Sequence, residues 1–102
     1  MKFEVLSSFD ADYERLSHAE RGLFKKVLPA FVAACDRYAA DSSASWPASL
    51  RVKDLEGAPG IFEMTWSFAG PDGRATFEWT AIEGALGLRW RRIGGHRILK
   101  EP

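Results

Sequence analysis

One cysteine, Cys35, and two histidines, His18 and His96, are all the thiol and imidazole metal ligands that this chain offers. An intramolecular disulfide is therefore impossible, and a cysteine-based zinc site is excluded with it. No apolar run approaches the length of a membrane span, and the opening MKFEVLSSFDADYERL lacks the apolar stretch of a signal peptide. The chain is expected in the cytoplasm, with no membrane partner. Excess charge is missing as well: 14 Lys and Arg balance 14 Asp and Glu. Neutrality speaks against nucleic-acid binding over the whole surface and leaves room only for a local patch. There is no phosphate-binding loop, dinucleotide fingerprint or nucleophile elbow. No cofactor and no metal is expected.

What is present is a core. Apolar residues make up 46% of the 102 residues and aromatics 13%, enough for one packed domain spanning 1–102 and too little chain for two. Residues Lys2 to Phe9 read as a first strand. Asp10 and Asp12 break it and are placed to cap a short helix through Tyr13 and Leu16. Ser17-His18-Ala19-Glu20 has the spacing of a capping box. Leu23, Phe24, Val27, Leu28, Phe31, Val32 and Cys35 then recur at helical spacing and predict one broad apolar stripe. Pro29 lies inside that stripe and should kink the helix, because it cannot donate back to Lys25. The polar stretch from Asp41 to Ser49 reads as a loop.

Beyond the loop, four segments alternate with period two, separated by turn signals at 57–60, at 70–73 and around Glu83-Gly84. The order strand, helix, helix, four strands predicts an α+β domain with the helices on one face of an antiparallel sheet. Phe62, Met64, Trp66 and Phe68 oppose Ile61, Glu63, Thr65 and Ser67. Ala75, Phe77 and Trp79 oppose Arg74, Thr76, Glu78 and Thr80. Leu86, Leu88 and Trp90 oppose Gly87, Arg89 and Arg91, while Leu50 and Val52 oppose Arg51 and Lys53. The apolar sets must meet the helices. The other face then carries Arg51, Lys53, Arg74, Arg89 and Arg91 against Glu63 and Glu78, a surplus of three positive charges. Such a face suits a polyanion. It equally describes a solvated sheet surface with cross-strand Arg–Glu pairs.

The C-terminal run from Arg89 to Lys100 adds His96 and Arg97 just past Gly94-Gly95, where glycine permits a close turn. A histidine near its ordinary pKa is a natural proton donor or acceptor at neutral pH; the competing reading is a surface or capping histidine. His18, in a first helical turn, takes that plainer reading. Ser42, Ser43 and Ser45 are loop composition. Trp46 is placed either to stack on a base or to close the edge of the core, and the second is favoured. Cys35, among Val32, Ala33 and Ala34, reads as a buried apolar residue.

The tract LRVKDLEGAPGIFEMTWSFAGPDGRATFEWT followed by LRWRRIGGHRIL resembles the RelE/ParE toxin superfamily, in particular its cytotoxic translational repressors. The likeness lies in the order of a leucine–basic strand, a Gly-x-x-Glu strand, an Arg-led aromatic strand and a terminal Ile-Gly-x-His. It is strong over residues 50–99 and holds by pattern alone in the helical half. It implies a RelE-like fold: an N-terminal strand and two helices against a curved antiparallel sheet. It also implies the toxin half of a type II toxin–antitoxin system, cutting mRNA on the ribosome without a metal and neutralised by a cognate antitoxin. On that resemblance Arg74 matches the phosphate-binding arginine and His96 the proton-transfer histidine. Arg51 and Lys53 match the basic strand that contacts RNA, with Arg89, Arg91, Arg92 and Arg97 as further RNA-binding cations. An exposed apolar groove beside the helices is expected for the antitoxin. Two departures stand out. Ala48 and Ser49 occupy the place where some relatives carry a carboxylate base, and Ile98-Leu99 replaces an aromatic. The base is left to Glu63 or Glu78. A ParE-like gyrase inhibitor, or a non-catalytic interaction protein on the same fold, are the rival readings.

Overall fold

The computed structural model describes residues 1–67 and 72–102. The chain runs β1 (Lys2–Val5), α1 (Ser7–Arg15), α2 (His18–Ala40), a 3-10 turn (Ala48–Leu50), β2 (Lys53–Asp54), β3 (Phe62–Trp66), β4 (Gly73–Ile82), β5 (Ala85–Gly94) and a 3-10 segment (His96–Lys100). It is an α+β domain whose five strands lie in the order β1-β5-β4-β3-β2. Among the described residues no helix is long and apolar enough to cross a membrane.

The sheet is mixed rather than antiparallel. Strands β2 to β5 alternate direction, but β1 lies parallel to β5, with Lys2 opposite Gly87 and Val5 opposite Trp90. Alternation within a strand says which face a side chain takes and nothing about the direction of its neighbour. Both helices and three strands separate β1 from β5 in sequence, and a connection of that length is what makes a parallel partner reachable.

β1 is also shorter than its pattern implies. The Leu6 N–H donates to the Trp90 carbonyl at 2.9 Å, and the chain turns into α1 at Ser7, so Phe9 reaches the core from a helix. Asp10 and Asp12 are inside α1 and do not cap it; Leu6 holds that position without a side-chain bond. The capping box before α2 does form: the Glu20 N–H donates to Ser17 Oγ at 3.1 Å and the Ser17 N–H to Glu20 Oε1 at 2.8 Å. Pro29 sits within α2 without ending it.

Phe24 and Phe31 of α2 pack on Trp66, Phe77 and Trp90 of the sheet, and Met64, Ala75 and Leu88 are fully buried beside them. The expected apolar face is therefore the helix-covered one. Phe68 and the turn residues Gly70 and Pro71 lie outside the described residues. Trp46 closes the core edge, stacked on Phe31 and Tyr38. The β4–β5 hairpin turns on Glu83 and Gly84, at φ 52° and 80°, the left-handed pair that a tight two-residue turn requires.

One irregularity places the C-terminal arginines. Ala75 and Phe77 are two residues apart on β4, but their partners Ile93 and Trp90 are three apart on β5. The bulge brings both Trp90 and Ile93 to the core face and leaves Arg91 and Arg92 between them. Strict alternation would instead have pointed Arg92 into the core.

Candidate nucleic-acid interface

The face away from the helices carries the expected cations, and nearly all of them hold carboxylates. Glu63 on β3 is only 1% exposed. Lys53, directly across on β2, reaches it at 3.3 Å, and the Arg74 guanidinium, from β4, at 3.4 Å. Arg74 also donates to Thr65 Oγ1 at 3.4 Å. Taking an ionised carboxylate out of water is costly unless it is paired, and two cations supply that pairing here. Further along the sheet, Glu78 lies between Arg89, at 2.9 Å, and Arg91.

Two acids that the face-by-face reading leaves out also belong to this surface. Glu4 of β1 accepts from Arg89 Nε at 2.6 Å, and Asp72 accepts from Arg51 at 3.0 Å. The bond to Glu4 holds the proton of Arg89 more tightly than usual, and the Arg51 bond lowers the pKa of Asp72 while raising that of Arg51. Lys2 of β1, on the same face, pairs with Glu83, so six cations meet five carboxylates and the surplus expected on this face falls from three to one. Arg51 is not on a strand at all. It ends the 3-10 turn in a left-handed conformation, because the basic strand shrinks to Lys53 and Asp54.

Arg92 faces a different partner. Its guanidinium grips Asp12 of α1 through Nε at 2.6 Å and a terminal nitrogen at 3.1 Å, and the same carboxylate accepts the Ile93 N–H at 3.1 Å. One helical turn earlier, Ser8 donates to the Arg91 carbonyl at 2.7 Å. β1 stops opposite Trp90, so the edge of β5 beyond it would lack partners; Ser8 and Asp12 supply them. Asp12, 6% exposed, is the residue that sequence reasoning misplaced. Its i, i+4 spacing from Ser8 was the available signal. Hydrogen bonding to Asp12 raises the pKa of Arg92.

Gly94 stands opposite Arg74, so Arg74 and the 3-10 segment starting at His96 occupy the same end of the sheet. His96 and Arg97 are exposed, and neither side chain makes a hydrogen bond or ion pair among the described residues. A cleft of about 520 Å³ opens there between α1 and the 3-10 segment, with Arg92, Arg97 and Lys100 facing Asp12, Asp72 and Glu101. His96 is outside its lining. Neither proposed base is free: Glu63 is buried under two cations, and both oxygens of Glu78 are engaged. The site can bind an anion at Arg97, beside the exposed His96 side chain. Lys100 in the same cleft is likewise without an ion pair among the described residues, whereas at Arg51, Lys53, Arg74, Arg89, Arg91 and Arg92 a phosphate must displace a carboxylate.

A second, apolar groove of about 440 Å³ runs between β1 and the helices, floored by Phe9, Phe24 and Trp90 and walled by Val5, Tyr13 and Leu28. This is the groove expected beside the helices. Among the described residues no group of three or more His, Cys, Asp or Glu could hold a metal ion. Comparison of the chain with models of known families, with curated proteins and with solved structures found no match.

Proposed function

We propose that this chain is the toxin of a type II toxin–antitoxin system with a RelE-like fold, acting in the cytoplasm as a metal-independent, ribosome-dependent mRNA endonuclease. The observation that carries this reading is the β4–β5 register, which sets Arg74 opposite Gly94 and so brings it to the end of the sheet where His96 and Arg97 are unengaged. Cleavage by attack of a 2′-hydroxyl on the neighbouring phosphate needs a proton for the departing oxygen and positive charge for the phosphorane. His96 supplies the first and Arg97, with Arg74, the second. Of the remaining cations, Arg51, Lys53, Arg89 and Arg91 exchange their carboxylates for RNA phosphates on the ribosome, whereas Arg92 stays on the buried Asp12. The apolar groove is the surface that the cognate antitoxin covers.

A second reading has its own support. The sheet-face cations are each held by a carboxylate and neither Glu63 nor Glu78 is available as a base, which favours a non-catalytic interaction protein on the same fold. Inducing the chain alone and following bulk protein synthesis separates the two. Wild type is expected to halt translation, and His96→Ala and Arg97→Ala to relieve the arrest at equal soluble protein, His96→Ala by about 100-fold or more in cleavage rate. Arg74→Lys is a cleaner probe than Arg74→Ala, since it keeps a charge on Glu63. Continued synthesis with soluble wild-type protein rejects the toxin. Arrest that survives His96→Ala and appears as DNA damage points instead to a gyrase inhibitor.

A further inference from the structure

The sheet has two edges, and they are guarded differently. The β2 edge is two residues long, a length that offers little to pair with. β1 is exposed at every position, and Phe3 and Val5, 37% and 46% exposed, lie on the helix side but are not covered by the helices. Proteins protect such edges with proline, a bulge or an inward-pointing charge. β1 has none of these, since its two charged residues point to the opposite face, where Lys2 meets Glu83 and Glu4 meets Arg89.

Hydrogen-bond parity limits what can pair there. Leu6 donates to Trp90, so in this parallel ladder Lys2, Glu4 and Leu6 face β5. The N–H and C=O of Phe3 and Val5 point outward, free to bond a further strand. In a twofold-symmetric antiparallel pair, opposite residues must share that orientation, and only two such registers overlap three residues of β1. Centring on Glu4 sets Glu4 against its own copy and is opposed by like charge. Centring on Phe3 sets Phe3 against Phe3, with two backbone bonds, and places Lys2 of each copy opposite Glu4 of the other. Only the second satisfies backbone, charge and apolar surface together.

We infer that two copies of this chain associate through their β1 edges in the Phe3-centred antiparallel register, joining two five-stranded sheets into one. The partner is a second copy because the Lys2-x-Glu4 pattern is complementary to itself about Phe3. The contact uses no residue of the cationic end, but Phe3 and Val5 also line the apolar groove assigned to the antitoxin, so the two partners would compete for this edge.

Sedimentation equilibrium of the full chain, from low micromolar to near-millimolar concentration, is expected to show a monomer–dimer equilibrium. Lys2→Glu makes the edge doubly acidic and Glu4→Lys makes it doubly basic. Each change turns both cross-strand pairs repulsive and should weaken self-association about tenfold or more. An equimolar mixture of the two variants should recover dimers, because acid then faces base at both pairs. Glu4→Lys also loses the Arg89 contact, so wild type carries an independent check: amide exchange at Phe3 should slow as concentration rises, while that at Glu4 does not. A wild type that stays monomeric throughout overturns the inference, as does a dimer indifferent to both variants and to mixing.

Discussion

At the scale of single residues, burial decides chemistry more than identity does. Cys35 is the one thiol, yet it is fully buried against the sheet, and burial, helped by the neighbouring Asp36 carboxylate, pushes its pKa up to about 12. A thiol that stays protonated is a poor nucleophile. In the unfolded chain the same group ionises near 9.0. The folded state therefore holds its proton more tightly, and its contribution to stability is intact below pH 9 and lost as pH rises toward 12. Denaturant midpoints measured across that window should fall with pH for wild type and fall less steeply for Cys35→Ala. Equal slopes would mean that the thiol is not sequestered. Glu63 shows the same principle with the opposite resolution, since a buried carboxylate cannot be left unpaired and so draws the Lys53 ammonium and the Arg74 guanidinium to it.

Between elements, the decisive contact is the seam of α1 and β5. β1 covers β5 only as far as Trp90, and two α1 side chains finish the edge by bonding backbone groups of Arg91 and Ile93. Removing the Asp12 carboxylate leaves a buried Ile93 N–H without an acceptor and an Arg92 guanidinium without its counter-charge. Asp12→Ala should cost about 3 kcal/mol in urea unfolding. Asp12→Asn keeps an acceptor for Ile93 and should lose less. A wild-type midpoint for Asp12→Ala would show that the edge finds other partners. The seam also orients the C-terminal segment, because Arg92 donates onward to the Glu101 carbonyl at 3.0 Å.

Across the whole molecule, stability should be graded outward from the middle of the sheet. β4 and β5 are ten residues each and are paired on both sides, while β2 contributes two residues at an edge. Local openings of short edges cost far less than global unfolding, so amides of β4 and β5 should exchange slower than those of Lys53 and Asp54 by about two orders of magnitude or more. Uniform protection by hydrogen-exchange NMR would contradict this ordering. The gradient matters for the site: Arg74 and Gly94 are on the slow pair, whereas Arg51 and Lys53 are on the labile rim.

Class and core were legible in the chain because they rest on local periodicity. Phe62, Met64 and Trp66, or Phe24 and Phe31, announce their faces by spacing alone, and Ser17 and Glu20 announce a helix start. The Trp90-Arg91-Arg92-Ile93 run even carried its bulge in plain view, as a break in alternation. Three things had no local signal. The parallel placement of β1 depends on a connection through both helices and three strands that returns β5 to its side. Asp12 was read as a cap because its true partners are about 80 residues away. The charge of the sheet face was misjudged because Glu4 and Asp72 enter it from other elements. Periodicity is a property of neighbours in sequence, whereas strand direction and electrostatic pairing are properties of neighbours in space, and only the tertiary structure decides which those are.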